Sequence, residues 1–202
     1  MLSLQRLFII AVILFFTGCA PFVKQQPDTP AEQLWEIRYQ QLLNLEQWSF
    51  QGRVALTEGK EAWQAGLHWQ QKPEQFSIRI LGPFSQGGVS LVGDRHQVVL
   101  TMSDGKQMKS TSPEALLSQA LGWNLPVSIL EDWVRGIPAQ QKNIDKKVLD
   151  ADGRITYLEQ LGWQVEFLRY VTVDGVELPG KIFMESPTLN LRLVISQWDI
   201  EQ

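Results

Sequence analysis

Residues 48–80, WSFQGRVALTEGKEAWQAGLHWQQKPEQFSIRI, place apolar side chains at alternate positions along three successive segments. An alternation with a period of two puts the apolar residues on one face of a β-strand and the polar residues on the other. Glu58-Gly59 and Lys72-Pro73-Glu74 divide the three segments, and both sequences are typical of turns. The stretch therefore predicts three consecutive antiparallel strands that share one apolar face.

The alternation continues beyond this stretch and predicts a long antiparallel sheet. Val89 and Leu91, followed by Val98, Leu100 and Met102, extend the pattern on the C-terminal side. Four further strands are predicted closer to the C-terminus, at residues 154–161, 164–171, 178–185 and 190–198.

Three amphipathic helices are predicted around these strands. Residues 29–32, TPAE, combine a Thr29 N-cap with a proline at the first helical position, and an apolar face follows at helical spacing. Ser112-Pro113-Glu114 begins a second helix, and a capping box at residues 128–131 begins a third. We expect the first helix to pack on the sheet and the two short helices to cover an open end of it.

The first nineteen residues have the pattern of an export signal. Arg6 precedes an apolar run, residues 7–16, that is shorter than the roughly 20 residues needed to span a bilayer. Thr17-Gly18-Cys19 resembles a bacterial lipobox, whose cysteine receives a diacylglycerol and becomes the acylated mature N-terminus. The alternative is a secreted protein with a leftover thiol. The sequence predicts a signal peptide at 1–18, a lipidated tether at 19–30 and a single domain at 31–202.

The residue after the cysteine bears on localisation. Ala20 stands there instead of aspartate, which by resemblance to the sorting signals of Gram-negative bacteria implies an outer-membrane lipoprotein on the periplasmic side. The chain from Cys19 to Ala31 spans at most about 40 Å when fully extended. The domain is therefore expected to lie close to its membrane.

Composition indicates one ordinary domain and no polyanionic partner. The chain has 18 basic and 22 acidic residues, and removal of residues 1–18 takes one basic residue, so the mature net charge is −5. This mild acidity gives no electrostatic reason to expect nucleic acid or anionic lipid as a partner. Eight tryptophans and nine phenylalanines could either fill a core or line an apolar cavity.

The sequence lacks the motifs of common enzymes and cofactor sites. His68 and His96 are the only histidines, and neither lies near a recognisable nucleophile motif. Residues 150–153, DADG, lack the distal glutamate of a calcium-binding loop and predict a plain turn. We expect no catalytic residue, no metal and no cofactor. The alternative is an active site formed by carboxylates that only folding brings together.

Several local sequences resemble the LolB family of outer-membrane lipoprotein receptors. Residues 130–138, LEDWVRGIP, resemble that family's segment of Leu, Trp and Gly-x-Pro, and Trp69-Gln70-Gln71 resembles its strand end. Leu81-Gly82-Pro83-Phe84 resembles its loop in which an apolar residue follows proline, with Phe84 where the family often has leucine. The similarity extends over nearly the whole mature chain.

The resemblance implies both a fold and a function. The implied fold is mainly β with helices, an incomplete antiparallel barrel that covers an apolar acyl-binding cavity with an N-terminal helix and two short plug helices. The implied function is to accept acylated lipoproteins from a LolA-like periplasmic carrier and insert them into the outer membrane, as a monomer. The alternative is a structural or small-hydrophobe-binding envelope lipoprotein without transfer activity.

Two sets of residues are candidates for this function. Phe84, after Pro83, lies between two strands at a position where a polar residue is usual, and it could either fold back over the sheet or insert into a membrane. The cavity candidates are apolar residues on the predicted inner face of the sheet and on the third helix: Trp48, Phe50, Trp63, Leu67, Phe76, Ile78, Val89, Leu91, Leu130 and Trp133.

Overall fold

The computed structural model describes residues 30–82 and 87–201. The predicted signal peptide, Cys19, most of the predicted tether, and Pro83 and Phe84 lie outside these residues.

Eleven strands form a single antiparallel sheet within the described part of the chain. In chain order they are β1 (Gln47–Glu58), β2 (Glu61–Gln71), β3 (Phe76–Leu81), β4 (Gly88–Gly93), β5 (Val98–Met102), β6 (Gln107–Ser110), β7 (Lys146–Leu149), β8 (Ile155–Gln160), β9 (Trp163–Val173), β10 (Val176–Glu185) and β11 (Leu189–Glu201).

The sheet is open, and its first and last strands in chain order meet at its centre. Its strand order is β6-β5-β4-β3-β2-β1-β11-β10-β9-β8-β7, so β1 pairs with β11 and the two short strands β6 and β7 are the edges. The predicted incomplete antiparallel barrel is confirmed. The sequence pattern did not predict β6 and β7, because four residues are too few for an alternation to be recognised.

Three helices lie against the sheet: α1 (Ala31–Leu43), α2 (Pro113–Leu121) and α3 (Val127–Val134). Helix α1 contacts β7, α2 contacts β5, β6 and α3, and α3 contacts β10. None of the helices within residues 30–82 and 87–201 has the length and apolarity needed to cross a membrane.

The predicted N-caps are correct for α2 and wrong for the other two helices. Ser112 Oγ accepts a hydrogen bond from the Ala115 amide at 3.2 Å. Pro30 and Pro126 occupy the N-cap positions of α1 and α3, where neither forms a side-chain cap. Pro30 thus takes the N-cap position predicted for Thr29, which lies outside the described residues, and Ser128 lies inside α3 and bonds to Glu114 of α2 instead.

The turn at Asp150–Gly153 is the plain turn that its sequence predicts. The Asp150 carboxylate accepts hydrogen bonds from the amides of Asp152 and Arg154 and from the Arg154 side chain, at 2.7 to 3.0 Å. The chain's own donors thus occupy the carboxylate oxygens that a calcium loop would direct at a cation.

Candidate functional site

An apolar cavity lies between the inner face of the sheet and the helices α2 and α3. Its volume is about 60 Å³. Every lining side chain is aliphatic or a tryptophan: Val54, Leu56, Trp63, Ala65, Leu67, Trp69, Ile78, Ile80, Leu91, Leu117, Trp123, Leu125, Val127, Leu130 and Leu191.

Strands β1 to β4 form the floor of this cavity. Alternate side chains of a strand point to the same face of the sheet, so the apolar positions of these strands face the cavity together. Val54 pairs with Ala65, and Leu56 pairs with Trp63, so the alternation on β1 and β2 brings these side chains together. Leu67 pairs with Ile80, which extends the same surface onto β3. The second face of each strand is left to solvent.

Five of the ten candidate cavity residues line this cavity, and five lie elsewhere. Trp63, Leu67, Ile78, Leu91 and Leu130 are part of the lining. Trp48, Phe50, Phe76, Val89 and Trp133 are not; Phe76 and Val89 are half-buried against the core.

Trp48 and Phe50 pack in an aromatic cluster. The Phe50 ring lies 5.0 Å from Trp198 and 6.1 Å from Trp69, and the Trp48 ring lies 5.5 Å from Trp69. Trp198 Nε1 donates to the Pro179 carbonyl oxygen at 2.9 Å. Aromatic pairs of this kind fill space and stabilise the junction of β1, β2 and β11, so this part of the inner face is core.

Trp133 belongs to a buried polar network that fixes the end of α3. Its Nε1 donates to Gln160 Oε1 at 3.0 Å, and the same oxygen accepts from the Ala139 amide at 2.8 Å. Gln160 Nε2 in turn donates to the Ala139 carbonyl at 3.0 Å. Both Trp133 and Gln160 are completely buried, so the hydrogen bonds that hold the C-terminal end of α3 are shielded from water.

Arg135 joins the same end of α3 to α1. The guanidinium donates to the carbonyl oxygens of Leu42 and Leu45 at 2.8 and 3.2 Å, and forms an ion pair with Asp132 at 2.7 Å. Leu42 lies in the last turn of α1 and Leu45 just beyond the helix, where carbonyls have no intrahelical partner.

The N-terminal end of α3 is held to α2 by a single carboxylate. Glu114 Oε1 accepts from the Ser128 amide at 2.9 Å and from its hydroxyl at 2.7 Å, while Glu114 Oε2 accepts from the Ser112 hydroxyl at 2.7 Å. Burial by itself would raise the pKa of Glu114, but these hydrogen bonds together bring that pKa below its ordinary value.

The cavity can hold an apolar group, and its lining carries no reactive side chain. None of its lining residues is ionisable or nucleophilic. Across residues 30–82 and 87–201, no three histidine, cysteine, aspartate or glutamate side chains are placed to hold a metal ion together. The arrangement favours binding over catalysis.

The sequence did not predict part of the cavity lining or the hydrogen bonds that hold the two ends of α3. Leu117, Trp123, Leu125 and Val127 line the cavity from α2, from α3 and from the connection between the helices. The apolar character of residues 123–127, WNLPV, was the available signal. Gln160 gave no signal, because its partners are 18 to 27 residues away along the chain.

The chain is similar to known proteins over most of its length. The family described as "Outer membrane lipoprotein LolB" matches residues 46–198. The chain is 41% identical to the outer-membrane lipoprotein LolB of Nitrosococcus oceani, over 95% of this chain and 96% of that protein. It is 37% identical to that of Pseudomonas syringae, over 96% of both chains.

The fold also occurs in a more distant structure. A LolA superfamily protein from Nitrosomonas europaea superposes with a TM-score of 0.57 at 12% identity, covering 86% of this chain and 94% of that one. The likeness extends over nearly the whole domain and shows the shared fold. The family match and the full-length relatives show that the chain belongs to the LolB family of outer-membrane lipoproteins.

Proposed function

We propose that this chain is an outer-membrane lipoprotein receptor that takes acylated lipoproteins from a LolA-like periplasmic carrier and inserts them into the outer membrane. The acyl chains of the cargo enter the cavity under α2 and α3. The role is that of a binding and transfer protein, not an enzyme, and it requires no cofactor.

The observation that carries this proposal is the all-apolar lining of the cavity. Burial of a methylene group is worth about 0.8 kcal/mol, so release of one long acyl chain into water would cost on the order of 10 kcal/mol. Cargo must therefore pass from one apolar site to the next without crossing water. A cavity with no ionisable lining residue fits that requirement.

The cavity must widen before it can hold an acyl chain. Its volume of about 60 Å³ is below the roughly 150 Å³ of an engineered protein cavity that admits benzene. The sheet cannot supply the space without breaking ladder hydrogen bonds, whereas α2 and α3 contact it mainly through apolar side chains. We infer that these two helices move away from the sheet when cargo enters.

The contacts at the two ends of α3 suggest the direction of this movement. Arg135 and the Trp133–Gln160 pair fix the C-terminal end through buried bonds. The N-terminal end depends on Glu114, whose partner Ser128 is exposed to water that can replace the bond. The α2 side therefore opens more easily, with the end of α3 as the pivot.

Cys19 and Phe84 supply the two membrane contacts in this proposal. Cys19 carries the N-acyl and S-diacylglycerol anchor, and intact-mass analysis of the extracted protein is expected to show loss of residues 1–18 and added acyl mass. Phe84, after Pro83, inserts into the bilayer interface, where an aromatic ring is favourable. The receptor acts as a monomer.

The test is to fill the cavity and measure binding and transfer. Leu67→Trp adds volume at a half-buried position of the lining, and it is expected to weaken binding of a fluorescent acyl probe at least tenfold and to block cargo acceptance from the carrier. Val165→Leu is the matched control, because Val165 is completely buried in β9 and does not line the cavity.

Unchanged transfer by Leu67→Trp at normal stability would contradict the proposal. A wild-type domain that binds no acyl probe would instead favour a structural envelope lipoprotein.

A further inference from the structure

The outer face of the central strands carries a groove lined by cationic side chains. Arg53, Lys181 and Arg192 line one part, with a volume of about 580 Å³, and Arg53 and Arg79 line a second part of about 720 Å³. The two parts share Arg53, Gly66, Leu81 and Val194, so they form one outer-face groove. This groove lies across the sheet from the cavity, and the strand residues Val54, Ala65 and Leu67 border both.

The register of the sheet explains why these cations lie side by side. Arg53 pairs with Val194, Val194 with Lys181, and Lys181 with Arg169, which makes one row across four strands. In the next row, Arg192 pairs with Ala55 and Phe183. Neighbouring strands are about 4.8 Å apart, so the row from Arg53 on β1 to Arg169 on β9 extends over about 14 Å across the β1–β11 junction.

The cations of the outer-face groove have no carboxylate partner. Among residues 30–82 and 87–201, the ion pairs involve Arg38, Arg135, Lys147 and Arg154, and none involves a groove cation. Arg53, Arg79 and Arg192 are exposed to solvent. Glu166 pairs with Phe183 in the row of Arg192, but it forms no ion pair with a groove cation among the described residues. A chain with a net charge of −4 thus carries several cations without an ion-pair partner on one face.

Contacts within the protein hold some of these cations in place. Lys181 Nζ and Arg192 Cζ lie 5.1 and 5.0 Å from the centre of the Phe183 ring. Arg169 donates to the carbonyl oxygens of Gly180 and Ile195 at 3.1 and 3.3 Å. Lys181 and Arg192 in the groove, and Arg169 beside it, are therefore preorganised, which lowers the entropic cost of binding an anionic surface.

Apolar side chains accompany the charges. Leu81 and Val194 are apolar, yet they lie on the solvent-facing side of the sheet and are 48% and 41% exposed. Arginine and lysine mixed with exposed aliphatic residues characterise protein surfaces that lie in the headgroup region of a bilayer.

We propose that the outer-face groove docks the protein on a bilayer surface that contains anionic phospholipids. Leu81 and Gly82, which line the groove, lead directly into residues 83–86 and hence to Phe84. Because α2 and α3 lie on the inner face, docking through the outer face leaves the cavity side free for the carrier. The docking goes beyond the receptor function and takes place without cargo.

The experiment measures vesicle binding by the full chain without its lipid. A Cys19→Ala chain, exported behind another cleavable signal peptide, is mixed with phosphatidylcholine vesicles that contain or lack phosphatidylglycerol. We expect binding to the anionic vesicles only, weakened at high salt. Arg53→Gln combined with Arg192→Gln is expected to reduce this binding about 25-fold, since each cation near an anionic surface contributes roughly fivefold.

Lys72→Gln combined with Lys142→Gln is the matched control. Both lysines are exposed and outside the groove, and the pair removes the same charge. Urea unfolding of each variant checks that the fold is intact. Equal binding to neutral and anionic vesicles, or an equal loss in the control pair, would overturn the proposal.

A third outcome separates the lipid from a protein partner. If the Arg53/Arg192 variant binds anionic vesicles normally but loses binding to the soluble carrier, the groove recognises an acidic protein surface and the lipid proposal is wrong. Because no cargo is present in the vesicle experiment, failure of the receptor function would leave its result unchanged.

Discussion

Arg135 Nη1 donates a hydrogen bond of 2.8 Å to the carbonyl oxygen of Leu42, and this bond joins the end of α3 to the end of α1. Arg135 is 4% exposed and Leu42 is completely buried, so water cannot replace the bond. Helix α1 leads into the central strand β1, whereas α3 lies in the connection between the edge strands β6 and β7, and the guanidinium joins the two helices.

Removal of this guanidinium is expected to be strongly destabilising. Arg135→Met removes the donor to the Leu45 carbonyl and one donor each to the Leu42 carbonyl and the Asp132 carboxylate, which keep the amides of Leu45 and Gln140. The change should lower the free energy of unfolding by about 3 kcal/mol. Urea unfolding measures this loss. Lys142→Met, at an exposed position, is the control and is expected to stay within about 0.5 kcal/mol of wild type. A loss of about 0.5 kcal/mol or less in Arg135→Met would show that other contacts can replace this link between α1 and α3.

An isosteric change at Gln160 is expected to lower the free energy of unfolding about as much as the loss of the Arg135 guanidinium. Gln160→Leu keeps the volume but leaves the Trp133 indole N–H and both backbone groups of Ala139 buried without partners. The expected cost is about 3 kcal/mol, measured by urea unfolding. Gln164→Leu, on the exposed face of β9, is the control and should cost little. If the two variants unfold at the same denaturant concentration, ordered water satisfies these groups in place of Gln160.

The sheet was predictable because its apolar residues alternate over long strands, as in Trp63, Ala65 and Leu67. Alternation assigns a residue to a face of the sheet, but it does not say what covers that face. Trp48 and Trp63 therefore looked equivalent, although one is 3% exposed in an aromatic cluster and the other lines a cavity. The difference depends on where α2 and α3 lie, which is a matter of tertiary packing.

The outer-face groove could not be predicted from the sequence, for a related reason. Arg53, Lys181 and Arg192 are 11 to 139 residues apart in sequence, and each is an ordinary polar position on a wet strand face. Only the pairing of β1 with β11 and of β11 with β10 brings them together. A single sequence contains no local pattern for such a set, because the strand order of a sheet is decided by long-range contacts.

Acid is expected to weaken the bond between α2 and α3. The pKa of Glu114 is lowered in the folded protein, so its stabilising contribution is complete above the unfolded pKa, about 4.3, and is lost as the pH falls through the lower folded value. Glu114→Gln should therefore cost about 1 kcal/mol near neutral pH and nearly nothing in strong acid. Urea unfolding at both pH values measures the difference.

Glu61→Gln is the control for this experiment. Glu61 is an exposed carboxylate on β2 and forms no ion pair within the described residues. Its removal should have little effect at either pH. A cost for Glu114→Gln that is the same in acid and at neutral pH would mean that the charge of Glu114 does not hold the two helices together.

Phe84 is expected to act on delivery of cargo and not on stability. If the ring inserts into the bilayer interface, Phe84→Ala should change the free energy of unfolding by less than about 0.5 kcal/mol, whereas loss of a ring packed over the sheet would cost about 3–5 kcal/mol. Phe84→Glu places a charge that the interface disfavours. It should still accept lipoprotein from the carrier but fail to transfer it to vesicles.

Gln86→Glu is the matched control for Phe84→Glu, because it adds the same charge to the same connection and keeps the ring. We expect it to deliver cargo at a rate close to that of wild type. Acceptance is measured by co-purification of carrier-derived lipoprotein, and delivery by its appearance in floated vesicles, so the two steps are separated. Normal delivery by Phe84→Glu, or a loss of several kcal/mol in Phe84→Ala, would assign Phe84 to packing and leave the outer-face groove as the membrane contact of the domain.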